Sequence, residues 1–133
     1  MFRKSELLYY PDELRGCKSK FLFVVEGFTH VWWLWQHGIR AVVAVMGSSM
    51  SERQAELIRA LTIDDALIVL LPDGNKAGSL MAEAALPLLA PHHYVRWAKL
   101  TEDRQPTDLS AENLGMFNEL IHFATSRRSL RSE

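Results

Sequence analysis

Four short apolar segments divide the chain, and a polar turn follows each of them. Residues 66–71 (ALIVLL) form an unbroken apolar run, which predicts a strand buried on both faces, as in a parallel sheet. Similar runs predict strands over residues 20–25 and 39–46. Residues 94–100 alternate apolar and polar side chains, which predicts an edge strand with one wetter face.

Helix-like segments follow the predicted strands. Ser51 and Gln54 form a capping-box pattern at the start of one of these segments. The resulting β-α rhythm with short links predicts an α/β fold, in which about four mostly parallel strands carry helices on both faces. The predicted helices cover residues 30–37, 52–61, 76–89 and 111–125.

Length and composition are typical of a single domain. The chain has 133 residues, of which 48% are hydrophobic, and this is enough apolar mass to bury a core. We expect a lead-in segment over residues 1–19 that forms a short helix or a loop. A single domain should then cover residues 20–126, and a disordered basic tail should cover residues 127–133.

Charge and cysteine content exclude several classes of protein. The net charge of −1 gives no global basic signature of a nucleic-acid-binding protein, although a local basic face stays open. The single cysteine, Cys17, excludes an internal disulfide and a cysteine-rich zinc site, and it fits a reducing cytoplasm. No apolar run approaches the roughly 18 residues of a membrane span, so we expect a cytoplasmic protein with no membrane partner.

Two of the predicted strands end in a carboxylate followed by a glycine. Glu26-Gly27 follows the first strand, and Asp73-Gly74 follows the strand over residues 66–71. Parallel strands end at the same edge of a sheet, so Glu26 and Asp73 converge if their strands are neighbours. Such a pair can hold Mg²⁺, which prefers oxygen ligands. The alternative is that each carboxylate only caps the helix that follows it.

The motifs at these strand ends resemble the Toprim domain of bacterial DnaG-type primases. The family's first motif, an apolar strand closing in Glu-Gly, corresponds to VVEGF at residues 24–28. A Gly-Ile turn, a strand and Gly-Ser correspond to residues 37–49, and the motif Asp-Gly-Asp-x-Ala-Gly corresponds to DGNKAG at residues 73–78. The lead-in FRKSELLYYPDELR and the later QPTDL also resemble primase segments.

The resemblance implies a Rossmann-like α/β domain with an acidic edge that binds Mg²⁺. In the family this site handles phosphodiester chemistry, and in primases it supports synthesis of RNA primers on single-stranded DNA. By the same resemblance, Glu26 corresponds to a metal ligand or general acid/base, and Asp73 corresponds to the first aspartate of the Asp-x-Asp pair. Glu26 and Asp73 are therefore the candidate catalytic residues.

Several acidic positions of the family carry other residues in this chain. Asn75 stands at the second aspartate of the Asp-x-Asp pair, and His30 stands at an aspartate one turn after the glutamate. Gln105 and Thr107 flank a proline where the primase loop presents two aspartates, and Asp108 is displaced by one position.

These replacements change the expected metal chemistry. Two Mg²⁺ ions about 3.5–4 Å apart need several carboxylates to offset their mutual repulsion. Glu26 and Asp73 supply two negative charges, Asn75 can supply an amide oxygen, and the nitrogen of His30 suits Zn²⁺, Mn²⁺ or Ni²⁺ better than Mg²⁺. We therefore expect one weakly held Mg²⁺ or Mn²⁺, or none, with Glu26, Asp73 and Asn75 as the candidate ligands.

Weaker candidates for contact with nucleic acid or phosphate are Lys76, His30 and Asp108, although a solvated lysine and a helix-capping histidine are the simpler interpretations. Trp32, Trp33 and Trp35 are closely spaced and cannot all face the core. They can pack inward, stack on bases or form an interface.

Three functional hypotheses follow, and the residues leave open whether the chain is an enzyme. In the first, it is a primase-like Toprim protein of DNA replication or other nucleic-acid metabolism, with weakened or lost catalysis, which binds single-stranded DNA, RNA or a replication protein. In the second, it is a non-catalytic interaction module that dimerises through the tryptophan-bearing helix. In the third, it is an active single-metal nuclease or nucleotidyl-transfer enzyme.

Overall fold

The computed structural model describes residues 2–4, 8–47, 49–109 and residue 115. Its strands are β1 (Phe2–Lys4), β2 (Tyr9–Pro11), β3 (Ser19–Val25), β4 (Val42–Ala44), β5 (Thr62–Leu70) and β6 (Tyr94–Trp97). Its α-helices are α1 (Phe28–Gln36), α2 (Glu52–Leu61) and α3 (Lys76–Leu89). Single 3₁₀ turns cover Asp12–Leu14 and Pro106–Asp108.

The strands form one mixed sheet in the order β1-β2-β4-β3-β5-β6. Four strands that are adjacent in this order, β4, β3, β5 and β6, are parallel to one another. By contrast, β2 pairs antiparallel with both β1 and β4. The prediction of about four mostly parallel strands is therefore confirmed, and β6 lies at the edge of the sheet as its alternating pattern predicted.

Alternating side chains of the central strands divide the core into two layers. One layer lies between the sheet and helices α2 and α3, and the other lies between the sheet and α1. Helices therefore cover both faces, as predicted. The first layer includes Leu22, Val24, Ile68, Leu70, Ile58 and Met81. The second includes Phe23, Val25, Leu67, Val69, Val31 and Leu34. Burying each such side chain stabilises the fold by about 1.5–3 kcal/mol.

Two of the four predicted helices have accurate bounds because strong local signals mark them, whereas α1, predicted over residues 30–37, is observed over Phe28–Gln36. Helices α2 and α3 begin and end at the predicted residues. The predicted capping box is present, because the backbone N–H of Gln54 donates to Ser51 Oγ at 3.1 Å and Ser51 N–H donates to Gln54 Oε1 at 2.9 Å. The predicted helix over residues 111–125 and the tail over 127–133 lie outside the described residues, except for Gly115, which is helical.

The lead-in segment differs from its interpretation as a short helix or loop. It contributes two strands and a 3₁₀ turn, and Tyr9 of β2 pairs with Ala44 of β4. Both strands have only three residues, so the sequence offers no alternation long enough to recognise. Pairing with a neighbouring strand, and not local pattern, decides this conformation.

Among the described residues, no helix combines the length and the apolar character that crossing a membrane would require.

Candidate functional site

The two carboxylates predicted to converge do so at the carboxyl edge of the sheet. β3 and β5 are parallel neighbours, with Val24 opposite Leu70. Glu26 follows β3 and Asp73 follows β5, and the backbone N–H of Asp73 donates to Glu26 Oε1 at 3.1 Å. The site is therefore built on the ends of two buried strands, which hold it more rigidly than a loop would.

Two glycines allow the chain to close tightly around these carboxylates. A Cβ atom on Gly78, in the first turn of α3, would overlap the carbonyl oxygen of Asp73 and lie 2.7 Å from Glu26 Oε1. A Cβ atom on Gly74 would overlap the carbonyl oxygen of Thr101. Both positions therefore require the absence of a side chain, which explains the glycines of the DGNKAG motif.

Burial and neighbouring negative charges disfavour the charged forms of both acids. Burial raises the pKa of the Glu26 carboxyl above its ordinary value, and the nearby charge of Asp73 raises this pKa further. Burial also raises the pKa of Asp73. His30 opposes this shift, and the charge of Asp108 adds to it. A cation held between these groups would relieve both effects.

His30 lies in α1 and is buried beside Asp73. Its Nδ1 atom is 3.8 Å from Asp73 Oδ1, and its Nε2 atom is 3.2 Å from Gln105 Oε1. Two of the positions that depart from the acidic pattern of the family are therefore in direct contact with each other. His30 therefore lies beside a candidate catalytic carboxylate, and its imidazole faces that carboxylate.

Asn75 and Asp108 each make a hydrogen bond that supports the local backbone. Asn75 is the N-cap of α3, and its Oδ1 atom accepts a hydrogen bond from Gly78 N–H at 2.8 Å. Asp108 Oδ2 accepts one from the backbone N–H of Gln105 at 2.8 Å. The predicted role of Asn75 as a metal ligand stays a prediction, and it would have to coexist with this capping bond.

A cleft of about 360 Å³ opens beside Asp73, between the start of α3 and the segment that follows β6. Lys76 is exposed at this cleft, as is Lys99, whose Nζ atom lies 5.2 Å from the ring centre of Trp97. Its lining includes two lysines and three acids, together with polar and aromatic side chains: Lys76, Lys99, Asp73, Glu102, Asp103, Asn75 and Trp97. Sequence reasoning singled out Lys76 but missed Lys99 and Trp97. Their position at the end of the fourth strand, on the same edge as Asp73, was the available signal.

The tryptophans of α1 divide between the core side and the surface. Trp33 is half-buried against the second core layer, whereas 41% of Trp32 is exposed. The indole N–H of Trp32 donates to Tyr9 Oη at 2.8 Å, and that of Trp35 donates to Glu13 Oε1 at 2.9 Å. Both tryptophans therefore anchor the lead-in segment to α1, and Trp32 also contributes to the surface.

The donor set does not fit a centre of two Mg²⁺ ions. Within the described ranges, no three His, Cys, Asp or Glu side chains converge in a way that could hold a metal ion. Glu26 and Asp73 are the carboxylates that meet at the strand ends, and one oxygen of Glu26 already accepts the Asp73 N–H. Two divalent ions would retain most of their mutual repulsion in such a site.

Comparison with known proteins identifies the family. A model of the Toprim domain matches residues 20–98. The chain belongs to the Toprim family. This confirms the resemblance inferred from the motifs, and the Toprim match spans the strands that carry Glu26 and Asp73.

The relatives of this Toprim chain include DNA primases. It is 33% identical to the DNA primase of Aquifex aeolicus over 91 residues, which are 67% of this chain and 18% of that protein. It is 29% identical to the DNA primase of Listeria monocytogenes over 150 aligned residues, which cover 100% of this chain and 24% of that protein. The chain thus spans about a fifth to a quarter of the length of these relatives.

A solved primase structure agrees with the Toprim fold. The DnaG primase catalytic domain bound to single-stranded DNA superposes with a TM-score of 0.61 and 29% sequence identity. The match covers 75% of this chain and 33% of that domain. The α/β fold and the homology to primase catalytic cores are therefore established.

Proposed function

We propose that this Toprim protein binds single-stranded DNA or RNA at the carboxyl edge of its sheet and that its nucleotidyl-transfer activity is weakened or lost. It would act in DNA replication or in another process of nucleic-acid metabolism. The observation that carries the proposal is the cleft beside Asp73, at which the exposed Lys76 and Lys99 offer two cations to a phosphate backbone. A DNA-bound primase core of the same fold supports it.

The proposed loss of activity rests on the charge at the strand ends. A site for phosphoryl transfer depends on electrostatic stabilisation and positioning by metal ions held between carboxylates. Glu26 and Asp73 supply two charges, and burial raises the pKa of both carboxyls, so even these charges are costly without a cation. If an ion binds, we infer a single Mg²⁺ or Mn²⁺ held weakly at this pair. The exposed, free Cys17 agrees with a cytoplasmic location.

Fluorescence anisotropy of a labelled single-stranded oligonucleotide tests the binding proposal. The measurement is made in EDTA, so that metal binding does not contribute, at about 50 mM salt and then at rising salt. Each lysine that contacts a phosphate should contribute about −0.7 to the slope of log affinity against log salt. The double variant Lys76→Ala/Lys99→Ala should therefore weaken binding and flatten the slope by roughly 1.4.

The matched control places the same charge change elsewhere. Lys18 and Lys20 are exposed at the start of β3, at the opposite edge of the sheet. The double variant Lys18→Ala/Lys20→Ala should leave affinity and salt slope close to those of the unmodified protein. No binding at low salt, or equal losses in the two double variants, would refute a nucleic-acid site at the cleft.

A second candidate is an interaction module that binds a replication protein or another copy of this chain. The observation that favours it is the exposure of Phe28 and Trp32, at 47% and 41%, on the outer side of α1. Sedimentation at high concentration tests homodimerisation. A monomer at every concentration, with or without Trp32→Ala, would eliminate the homodimer.

A third candidate is a single-metal nuclease or nucleotidyl-transfer enzyme, which the retention of Glu26 and Asp73 keeps open. Mn²⁺-dependent cleavage or extension of an oligonucleotide that disappears in Glu26→Gln would establish it.

A further inference from the structure

Two buried polar atoms face each other at the site. His30 is 6% exposed, and its Nδ1 atom lies 3.8 Å from Asp73 Oδ1. Neither atom has a hydrogen-bond partner among the residues that the structure describes. Buried polar atoms without partners are rare in native proteins, because each one costs about 1–3 kcal/mol. The pair therefore requires a physical explanation.

The contact with Gln105 bears on which ring nitrogen of His30 carries the proton. Gln105 Oε1 lies 3.2 Å from Nε2, and an amide oxygen can only accept a hydrogen bond, whereas a flipped amide would donate to Nε2. In the orientation with the oxygen towards His30, Nε2 is the donor, and in the neutral imidazole Nδ1 presents its lone pair to Asp73. Outer hydrogen bonds of this kind fix the tautomer of metal-binding histidines.

A lone pair on nitrogen and a carboxylate oxygen, facing each other in a buried site, attract a cation. His30 Nδ1 and Asp73 Oδ1, which lie 3.8 Å apart, are the two atoms that would hold such an ion. Water can complete the coordination, because the cleft opens beside Asp73.

We propose that His30 is a nitrogen ligand of a single metal ion shared with Asp73, that Gln105 positions it, and that the site favours Mn²⁺ or another transition-metal ion over Mg²⁺. The inference deepens the proposed function, because it concerns the same strand ends. Imidazole nitrogen suits transition metals, whereas Mg²⁺ requires oxygen ligands in near-ideal octahedral geometry. The replacement of an acid by His30 therefore changes which ion the site selects, in addition to removing a charge.

Pulsed electron paramagnetic resonance of protein-bound Mn²⁺ tests this directly, because it detects nitrogen nuclei that are bound to the metal. The unmodified protein should show nitrogen modulation, and isotopic labelling of its histidines should change the modulation frequency. His30→Asp and His30→Gln should both abolish the signal. His37→Gln is the matched control, because His37 follows the same helix but is exposed, and it should leave the signal unchanged.

Calorimetry with each metal alone provides the second measurement. The unmodified protein should bind Mn²⁺ at least about tenfold more tightly than Mg²⁺, and His30→Asp should reduce that ratio. Gln105→Leu should weaken Mn²⁺ binding by about 10–100-fold, because the His30 imidazole loses the hydrogen-bond partner that fixes its tautomer and orientation. Circular dichroism confirms that each variant is folded.

The outcomes separate this inference from the proposed function. Mn²⁺ binding without nitrogen modulation, or nitrogen modulation that persists in both His30 variants, would overturn the role of His30. Absence of any bound Mn²⁺ at millimolar concentration would overturn it as well, and the facing pair would then share only a proton or a water. Because oligonucleotide binding is measured in EDTA, it does not depend on a bound metal. The nucleic-acid proposal can therefore be refuted while metal binding by His30 is confirmed, and the reverse is also possible.

Discussion

Gly78→Ala tests how closely α3 approaches the acidic pair. The added Cβ atom would overlap the carbonyl oxygen of Asp73 and lie 2.7 Å from Glu26 Oε1 and 2.9 Å from the carbonyl carbon of Asp73. Rotation of a side chain cannot relieve an overlap with backbone atoms. The start of α3 must therefore move away from the strand end, and this movement disrupts the bond from Gly78 N–H to the Asn75 cap.

The expected magnitude combines two opposing effects. Overpacking of a rigid site costs about 1–3 kcal/mol, and the cost lies at the upper end here because the obstacle is backbone. Replacing glycine by alanine inside a helix returns about 1 kcal/mol. We expect a net destabilisation of about 2 kcal/mol, which corresponds to a fall in Tm of roughly 8 °C for a chain of this length.

Gly115→Ala is the matched control, because Gly115 is helical and exposed, and an added Cβ atom would meet no part of the described chain within 4 Å. This variant should be neutral or more stable by up to about 1 kcal/mol. Urea denaturation followed by tryptophan fluorescence measures both variants. Equal stability of Gly78→Ala and the unmodified protein would show that α3 does not pack against the acidic pair as described.

Three further predictions concern the cap and the titrating groups. Asn75→Ala should lower stability by about 0.5–2 kcal/mol in urea denaturation, whereas Asn75→Asp should keep the cap and strengthen Mg²⁺ binding in calorimetry; an unchanged Mg²⁺ affinity would contradict the charge argument. In EDTA, the raised pKa values of Glu26 and Asp73 mean that the folded state holds their protons more tightly than the unfolded chain does. Their contribution to the stability of the fold should therefore decrease as pH rises from the ordinary pKa values of 4.5 and 3.8 through the raised pKa values. Glu26→Gln should make stability less dependent on pH and should raise the urea midpoint at neutral pH. An unaltered pH profile in this variant would contradict the prediction. His93 behaves in the opposite way, because burial lowers its pKa and the unfolded chain takes up the proton first. The fold should lose stability as pH falls from 6.5 through the lowered pKa of His93, and His93→Gln should remove this acid sensitivity. If the variant loses stability over the same pH range, another group causes the acid sensitivity.

The fold was predictable wherever an apolar run, a helical periodicity or a capping motif extends over enough residues to identify an element. The apolar run over residues 66–71 predicted a doubly buried strand, and capping and periodicity gave the bounds of α2 and α3. The pairing of β1 and β2 was not predictable, because strands of three residues acquire their conformation from the neighbour they pair with. The predicted strand over residues 39–46 is shorter in the structure, where only Val42–Ala44 is strand.

The site was predictable where topology alone determines it. The rule that parallel strands end at one edge was sufficient to bring Glu26 and Asp73 together from the sequence. The contact between His30 and Gln105 joins residues 75 positions apart, and the pattern of neither segment predicts it. It depends on the loop after β6, which folds over Gly74: Gly74 N–H donates to the Arg104 carbonyl at 2.7 Å, and Asp103 N–H donates to the Gly74 carbonyl at 2.6 Å.

The number of Mn²⁺ ions bound per chain at saturation decides whether the strand ends hold a single-metal site. Calorimetric stoichiometry gives the count, and the electron paramagnetic resonance spectrum of the same sample distinguishes isolated ions from a spin-coupled pair. The two negative charges of Glu26 and Asp73 can offset the charge of a single divalent ion, and the neutral His30 adds none, so we predict one magnetically isolated Mn²⁺ per chain. Two coupled ions per chain would contradict this prediction, because they would restore the two-metal chemistry that the donor set of this site excludes.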